Sequence, residues 1–79
     1  MKLPRDVSGE DLARRLGRLG YEVTRQTGSH MRLARRDAPY HRVTIPAHDS
    51  LKVGTLDGIL KDVAAQLGVT RNDVVCQLW

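Results

Sequence analysis

The sequence predicts an α+β fold of element order α-β-β-β-α-α: a three-stranded antiparallel sheet with helices packed on one face. Three observations carry that expectation. Apolar residues recur at three- and four-residue spacing near both ends of the chain, and they alternate with polar ones through its middle. Only short turn signals separate the alternating stretches, which favours a meander of neighbouring strands. Such a sheet buries one face under helices and leaves the other in water.

Ser8 is a natural N-cap, with Asp11 at the third helical position and Val7 and Leu12 at the spacing of a hydrophobic staple. Leu12, Ala13, Leu16 and Leu19 then form one apolar stripe, and Gly20 stops a first helix of about 9–19. Residues 21–27 alternate and are rich in strand formers. Gly28-Ser29 is a turn, and 30–35 alternate again. Asp37-Ala38-Pro39 breaks the chain before a third strand over 40–45, which Pro46 ends. After a polar loop, Leu56, Ile59, Leu60, Val63, Ala64 and Leu67 hold helical spacing until Gly68. Thr70 caps a last helix, with Asp73 at its third position and Val69 facing Val74 as a second staple. Val74, Val75, Leu78 and Trp79 tuck it onto the body.

Seventy-nine residues make one domain, 1–79, with no room for a separate substrate domain. A chain this short buries only ~60% of the surface that its unfolded form exposes. One cysteine, Cys76, excludes an internal disulfide framework and a multi-cysteine zinc site, and fits a reducing cytoplasm. No apolar run approaches the ~20 residues that span a bilayer, and Met1–Asp6 has no stretch resembling a signal peptide. Three histidines without a Cys pair or helical i,i+4 spacing speak against metal, and no cofactor is expected.

Net charge is +4, unevenly placed: residues 14–52 carry nine positive and three negative side chains, a net of +6, and both flanks are slightly acidic. Clustered arginine suits phosphate, because a guanidinium donates two parallel hydrogen bonds to its oxygens. A merely solvated basic face is the bland alternative. If Tyr21, Val23, Met31, Leu33, Val43 and Ile45 point to the helices, then Glu22, Thr24, Gln26, His30, Arg32, Ala34, Arg42 and Thr44 point to water. Arg25 shares parity with Val23 but lies near a strand end. His30 would then stand beside Arg32 and Arg42. RNA carries its own nucleophile in the 2′-OH, so a nuclease needs a base, cations for the phosphate and an acid for the leaving oxygen. Histidine, titrating near ~6.5 unperturbed, suits both proton transfers. The alternative is an exposed strand histidine after a turn.

These residues resemble the HicA family of RNA-cleaving toxins from bacterial toxin–antitoxin pairs. Arg25-Gln26-Thr27-Gly28-Ser29-His30 is similar to the family's Gly-Ser-His signature after an Arg-bearing strand. Ile45-Pro46-Ala47-His48 resembles its Pro-x-His segment, and Gly54-Thr55-Leu56 leads into Ile59-Leu60 as in the family. The resemblance implies a fold like the double-stranded RNA-binding domain, metal-independent cleavage of mRNA, and a HicB-type antitoxin partner that covers the active site. The catalytic histidine maps onto His30, with Gly28 and Ser29 completing the motif. Gly28 permits the tight turn, and Ser29 either satisfies that turn or donates to phosphate. His48 is a possible acid or phosphate ligand, or a loop histidine bonding backbone groups. Arg25, Arg32 and Arg42 are the expected RNA-binding residues.

Two features depart from the pattern: the third helix ending at Trp79, and Met31-Arg32 where an aromatic residue often follows the histidine. With no Phe and two Tyr, RNA recognition by shape and phosphate is expected over a base-stacking sheet. A non-catalytic RNA-binding module or a protein-binding adaptor would share the fold, so His30 and not the architecture separates the readings.

Overall fold

The computed structural model describes residues 3–79; Met1 and Lys2, part of the segment read above for targeting, lie outside the described residues. The elements are α1 (Gly9–Leu16), β1 (Tyr21–Thr27), β2 (His30–Arg35), β3 (Arg42–Pro46), α2 (Val53–Leu67) and α3 (Arg71–Leu78). The strands pair in the order β1-β2-β3, antiparallel throughout. None of the described helices is long and apolar enough to cross a membrane.

Local chemistry explains the helix ends. Ser8 Oγ accepts from the Asp11 N–H at 3.0 Å and starts α1. The helix closes three residues early because Gly17–Leu19 tighten into a 3-10 turn that Gly20 ends at φ +91°. At α3 the capping box is complete: Thr70 Oγ1 accepts from the Asp73 N–H, and the Asp73 carboxylate accepts from the Thr70 N–H. Arg15 and Arg18 of α1 both donate to the Leu78 carbonyl, at 2.7 and 3.1 Å. The Arg15 guanidinium also lies 4.9 Å above the Trp79 ring, so two basic residues hold the end of α3.

The core lies on one side of the sheet. Leu12 and Leu16 from α1, Leu60 and Val63 from α2, and Val74 and Leu78 from α3 are buried. They share the interior with Met31, Leu33, Val43 and Ile45, while His30, Arg32, Arg42 and Thr44 stay exposed on the opposite face. Val23 departs from expectation. It pairs with Leu33 and so faces the helix layer, yet it is 47% exposed at the edge of the sheet.

The third strand is displaced by two residues at its start and one at its end. His41 turns inward to bond Tyr21 and Asp62, leaving the sheet to begin at Arg42. Pro46 belongs to the strand because of parity. The His41 carbonyl accepts from Arg35 N–H and the Ala47 N–H reaches the Ser29 carbonyl, so odd-numbered backbone groups face β2. Pro46 lacks only an N–H that would have faced the open edge.

A close approach between α1 and the end of β3 ties helix to sheet. The Gly9 N–H donates to the His48 carbonyl at 2.9 Å, and the Leu51 N–H to the Val7 carbonyl at 2.8 Å. A Cβ on Gly9 would lie 1.9 Å from the Pro46 carbonyl oxygen, so only glycine allows this contact. Gly9→Ala is therefore expected to destabilise the protein by about 1–3 kcal/mol, as overpacking does. Gly58→Ala, mid-helix with open space around it, should stabilise it by about 0.5–1 kcal/mol. Urea unfolding of the two variants checks both signs.

Three carboxylates are held by partners within a helix, between helices or at a helix cap. Burial pushes the Asp11 carboxyl up, but hydrogen bonds from Arg14 and Arg15 outweigh it and leave the group below its usual range. Asp57 is lowered by hydrogen bonds from Lys61 on its own helix and Arg71 on α3. Asp73 is lowered by the Thr70 backbone and hydroxyl. Each stays ionised to lower pH when folded than when unfolded. Their contribution is therefore complete above the ordinary carboxylate range and is lost as pH falls through the lowered folded values. Thermal unfolding followed from neutral to strongly acid pH should show this loss, and Asp57→Asn should make the acid dependence shallower.

Candidate functional site

The exposed face of the sheet is built around a two-residue hairpin. Thr27 and His30 pair across Gly28-Ser29, with Gly28 at φ +55° and Ser29 outside the positive-φ region. That combination is a turn whose first position requires glycine, and it sets the register of both strands. His30 becomes the first residue of β2, on the wet face, beside Pro46 of β3. Ser29 Oγ lies 3.5 Å from His30 Nδ1, a long contact with the ring.

A bulge in β1 changes the expected list of outward residues. Val23 pairs with Leu33, but Arg25 pairs with Arg32, so Thr24 is an extra residue between two regular registers. The Thr24 hydroxyl donates to the Arg32 carbonyl at 3.3 Å. Beyond the bulge parity reverses. Arg25 joins the open face with Arg32, and Gln26, expected to point out with that face, pairs with Met31 on the other. Strict alternation could not have shown this, because one unpaired residue shifts every later side chain by one face.

Arg25, Thr27, His30, Arg32 and Thr44 line a shallow depression on this face. It continues along the sheet past Ala34 to Arg42. The structure thus brings together four of the residues expected from sequence: His30, Arg25, Arg32 and Arg42. Among the described residues, no ion pair engages any of these three arginines. The other arginines of the basic segment are engaged: Arg14 and Arg15 with Asp11, Arg18 with the Leu78 carbonyl, Arg36 with Glu22, and Arg35 with four backbone carbonyls. The open face therefore presents three guanidiniums without carboxylate partners among the described residues, of which Arg25 and Arg32 share a depression with His30.

His48 stands outside that depression. It is exposed in the loop after β3, and its backbone carbonyl accepts from Gly9. The preceding Ala47 N–H bonds the Ser29 carbonyl at 2.7 Å, which ties His48's segment to the hairpin turn.

His41 had no function from its spacing. Its Nδ1 is 2.7 Å from Tyr21 Oη, and its Nε2 is 3.3 Å from the Asp62 carboxylate. The Tyr21 hydroxyl is pushed up chiefly by burial, with Arg35 opposing and Asp62 adding to the rise. The three residues connect β1, the start of β3 and α2. They are 20 and 21 positions apart, so no local pattern announces them. No group of three His, Cys, Asp or Glu among the described residues is placed to hold a metal ion.

A family model described as HicA toxin of bacterial toxin–antitoxin matches residues 9–65. The matched region runs from the start of α1 into the last turn of α2 and contains the whole sheet, while α3 lies beyond it. Comparison with curated proteins and with solved structures returns no match.

The bulge makes a measurable difference. Arg25→Gln should weaken binding of a polyanion such as heparin and lower the salt dependence of log K by about one phosphate-equivalent charge. Gln26→Ala, one residue on but on the other face, should leave both unchanged. Titrations at several salt concentrations make the comparison.

Proposed function

This chain belongs to the HicA toxin family of bacterial toxin–antitoxin systems, and from that premise we propose that it cleaves mRNA with His30 as general base. The observation that carries the proposal is the exposed histidine set among three guanidinium groups free of carboxylate partners.

In this reading the RNA strand lies across the open face with its scissile phosphate over the depression. The His30 imidazole takes the proton of the 2′-OH, and the 2′-oxygen attacks the adjacent phosphorus. The base form this step needs is the tautomer with its proton on Nδ1, toward Ser29 Oγ, and its lone pair on Nε2. Negative charge then builds on the phosphoryl oxygens, where Arg25, Arg32 and Arg42 supply fixed positive charge. The bond from phosphorus to the 5′-oxygen breaks, and that oxygen takes up a proton. The products are a 2′,3′-cyclic phosphate, or its hydrolysed 3′-phosphate, and a 5′-hydroxyl end. His48 is our candidate for donating that last proton or holding phosphate, since its segment is tied to the turn that presents His30.

The partner in this reading is a HicB-type antitoxin that covers the cationic face, and both act in the cytoplasm. An acidic partner surface would neutralise the same three arginines that phosphate needs, so antitoxin and RNA would compete for the face.

His30→Ala is expected to abolish RNA cleavage and growth inhibition while keeping salt-dependent RNA binding. Cleavage by the wild type should persist in EDTA and leave cyclic-phosphate ends. Equal toxicity and equal cleavage by the variant would exclude His30 as the base. Binding without cleavage by the wild type would instead identify a non-catalytic RNA-binding module.

A further inference from the structure

The described residues hold one strongly exposed aromatic side chain outside the site, Tyr40, which is 73% exposed in the loop between β2 and β3. Its position is determined by its neighbours. The His41 carbonyl accepts from the Arg35 N–H at 2.8 Å, so the pairing of β2 with β3 continues one residue before Arg42. The His41 ring turns inward to Tyr21 and Asp62. Tyr40 is next in the alternation, which, carried one residue further, assigns it to the side of Arg42 and Thr44. It therefore stands at the far end of the open face from His30. Thr44 is opposite Arg32, and four residues of extended chain at ~3.3 Å each put Tyr40 ~13 Å further along.

Two features make this end of the face different from the His30 end. The two arginines that flank the loop are already engaged. Arg36 pairs with Glu22 at 3.7 Å, and Arg35 donates from Nε to the Leu19 carbonyl and from Nη1 to the Asp37, Ala38 and Pro39 carbonyls. Arg42, two residues beyond Tyr40 in the chain, is the guanidinium near this end that no ion pair engages among the described residues. The same Arg35 contacts also order the loop that carries Tyr40, with His41 anchoring its other end. An exposed ring on a loop held by an arginine and a half-buried histidine loses little freedom when a flat partner stacks on it.

We infer that Tyr40 is a nucleobase-stacking subsite, taking one base of a single-stranded RNA a few nucleotides from the phosphate held beside His30. The inference rests on the reading of the open face as the RNA site, and adds a recognition element to it. Phosphates would be held along Arg25, Arg32 and Arg42, and a base would be read by its π face at Tyr40, just beyond Arg42. Stacking tolerates any base and gives grip and strand placement more than sequence choice.

The test uses the full chain carrying His30→Ala, so that RNA stays intact, with fluorescently labelled single-stranded oligonucleotides that each contain one abasic site. One abasic position should weaken binding roughly fivefold or more, the low end for a base stacked on an aromatic ring. Adding Tyr40→Ala should weaken intact RNA by a similar factor and erase the sensitivity at that position. Adding Tyr40→Phe should preserve both. The salt slope should not change with Tyr40→Ala, since no charge is removed. If Tyr40→Ala binds intact RNA as tightly as its parent, with the same abasic profile, the stacking subsite is overturned while the RNA site stands. If neither the wild type nor His30→Ala binds RNA, the RNA site itself falls and the subsite with it.

Discussion

Sheet register is the constraint on which the rest of this molecule depends. The helices lie on one side, so in β2 and β3 parity commits each residue to the helix side or to the open face. The two-residue turn at Gly28-Ser29 sets that parity for β1 and β2, and β3 inherits it through β2. A slip of one residue would place His30 and Arg32 against the leucines of the helices and bring Met31 and Leu33 into water. Burying Met31 and Leu33 and displaying His30 and Arg32 are thus one physical event. Gly9 supports it from the other side, since its lack of a side chain lets α1 reach the end of β3, where Pro46 pairs with His30.

Arginine has two separate roles here, and the distinction matters more than the net charge. Some guanidiniums act as internal connectors. Arg15 and Arg18 hold the end of α3, and Arg35 gathers the β2–β3 loop through its carbonyls. These contacts use a planar group with several donors in fixed directions, which a lysine would not reproduce. Arg25, Arg32 and Arg42 have no such duties and face outward beside a histidine. A chain with a modest overall charge thereby presents a concentrated positive surface, and the proposed chemistry needs little else from the protein because RNA brings its own nucleophile.

Much of this was legible in the residues. Caps at Ser8 and Thr70, glycine stops at Gly20 and Gly68, and the alternation through Met31, Leu33, Val43 and Ile45 are local signals, and each led to the element it implied. The Gly-Ser-His segment pointed to His30 and to the HicA family that residues 9–65 match. Three features were not legible. Thr24 is an unpaired residue, and nothing in its identity marks it as one, so Arg25 was read with the parity of Val23. Val23 has the sequence of a core residue but stands at a sheet edge that the helices leave partly open. His41 looked like an ordinary strand residue, because its partners Tyr21 and Asp62 are distant in the chain.

The sequence by itself determined which elements form and which face of each is apolar, since capping, turn chemistry and periodicity act over a few residues. It also determined the histidine to test. Tertiary structure alone decided which charges are free, where strand parity reverses, and which partners draw His41 inward. Those outcomes depend on which strands become neighbours and where one of them carries an extra residue. Such contacts join positions far apart in the chain, and no local pattern encodes them.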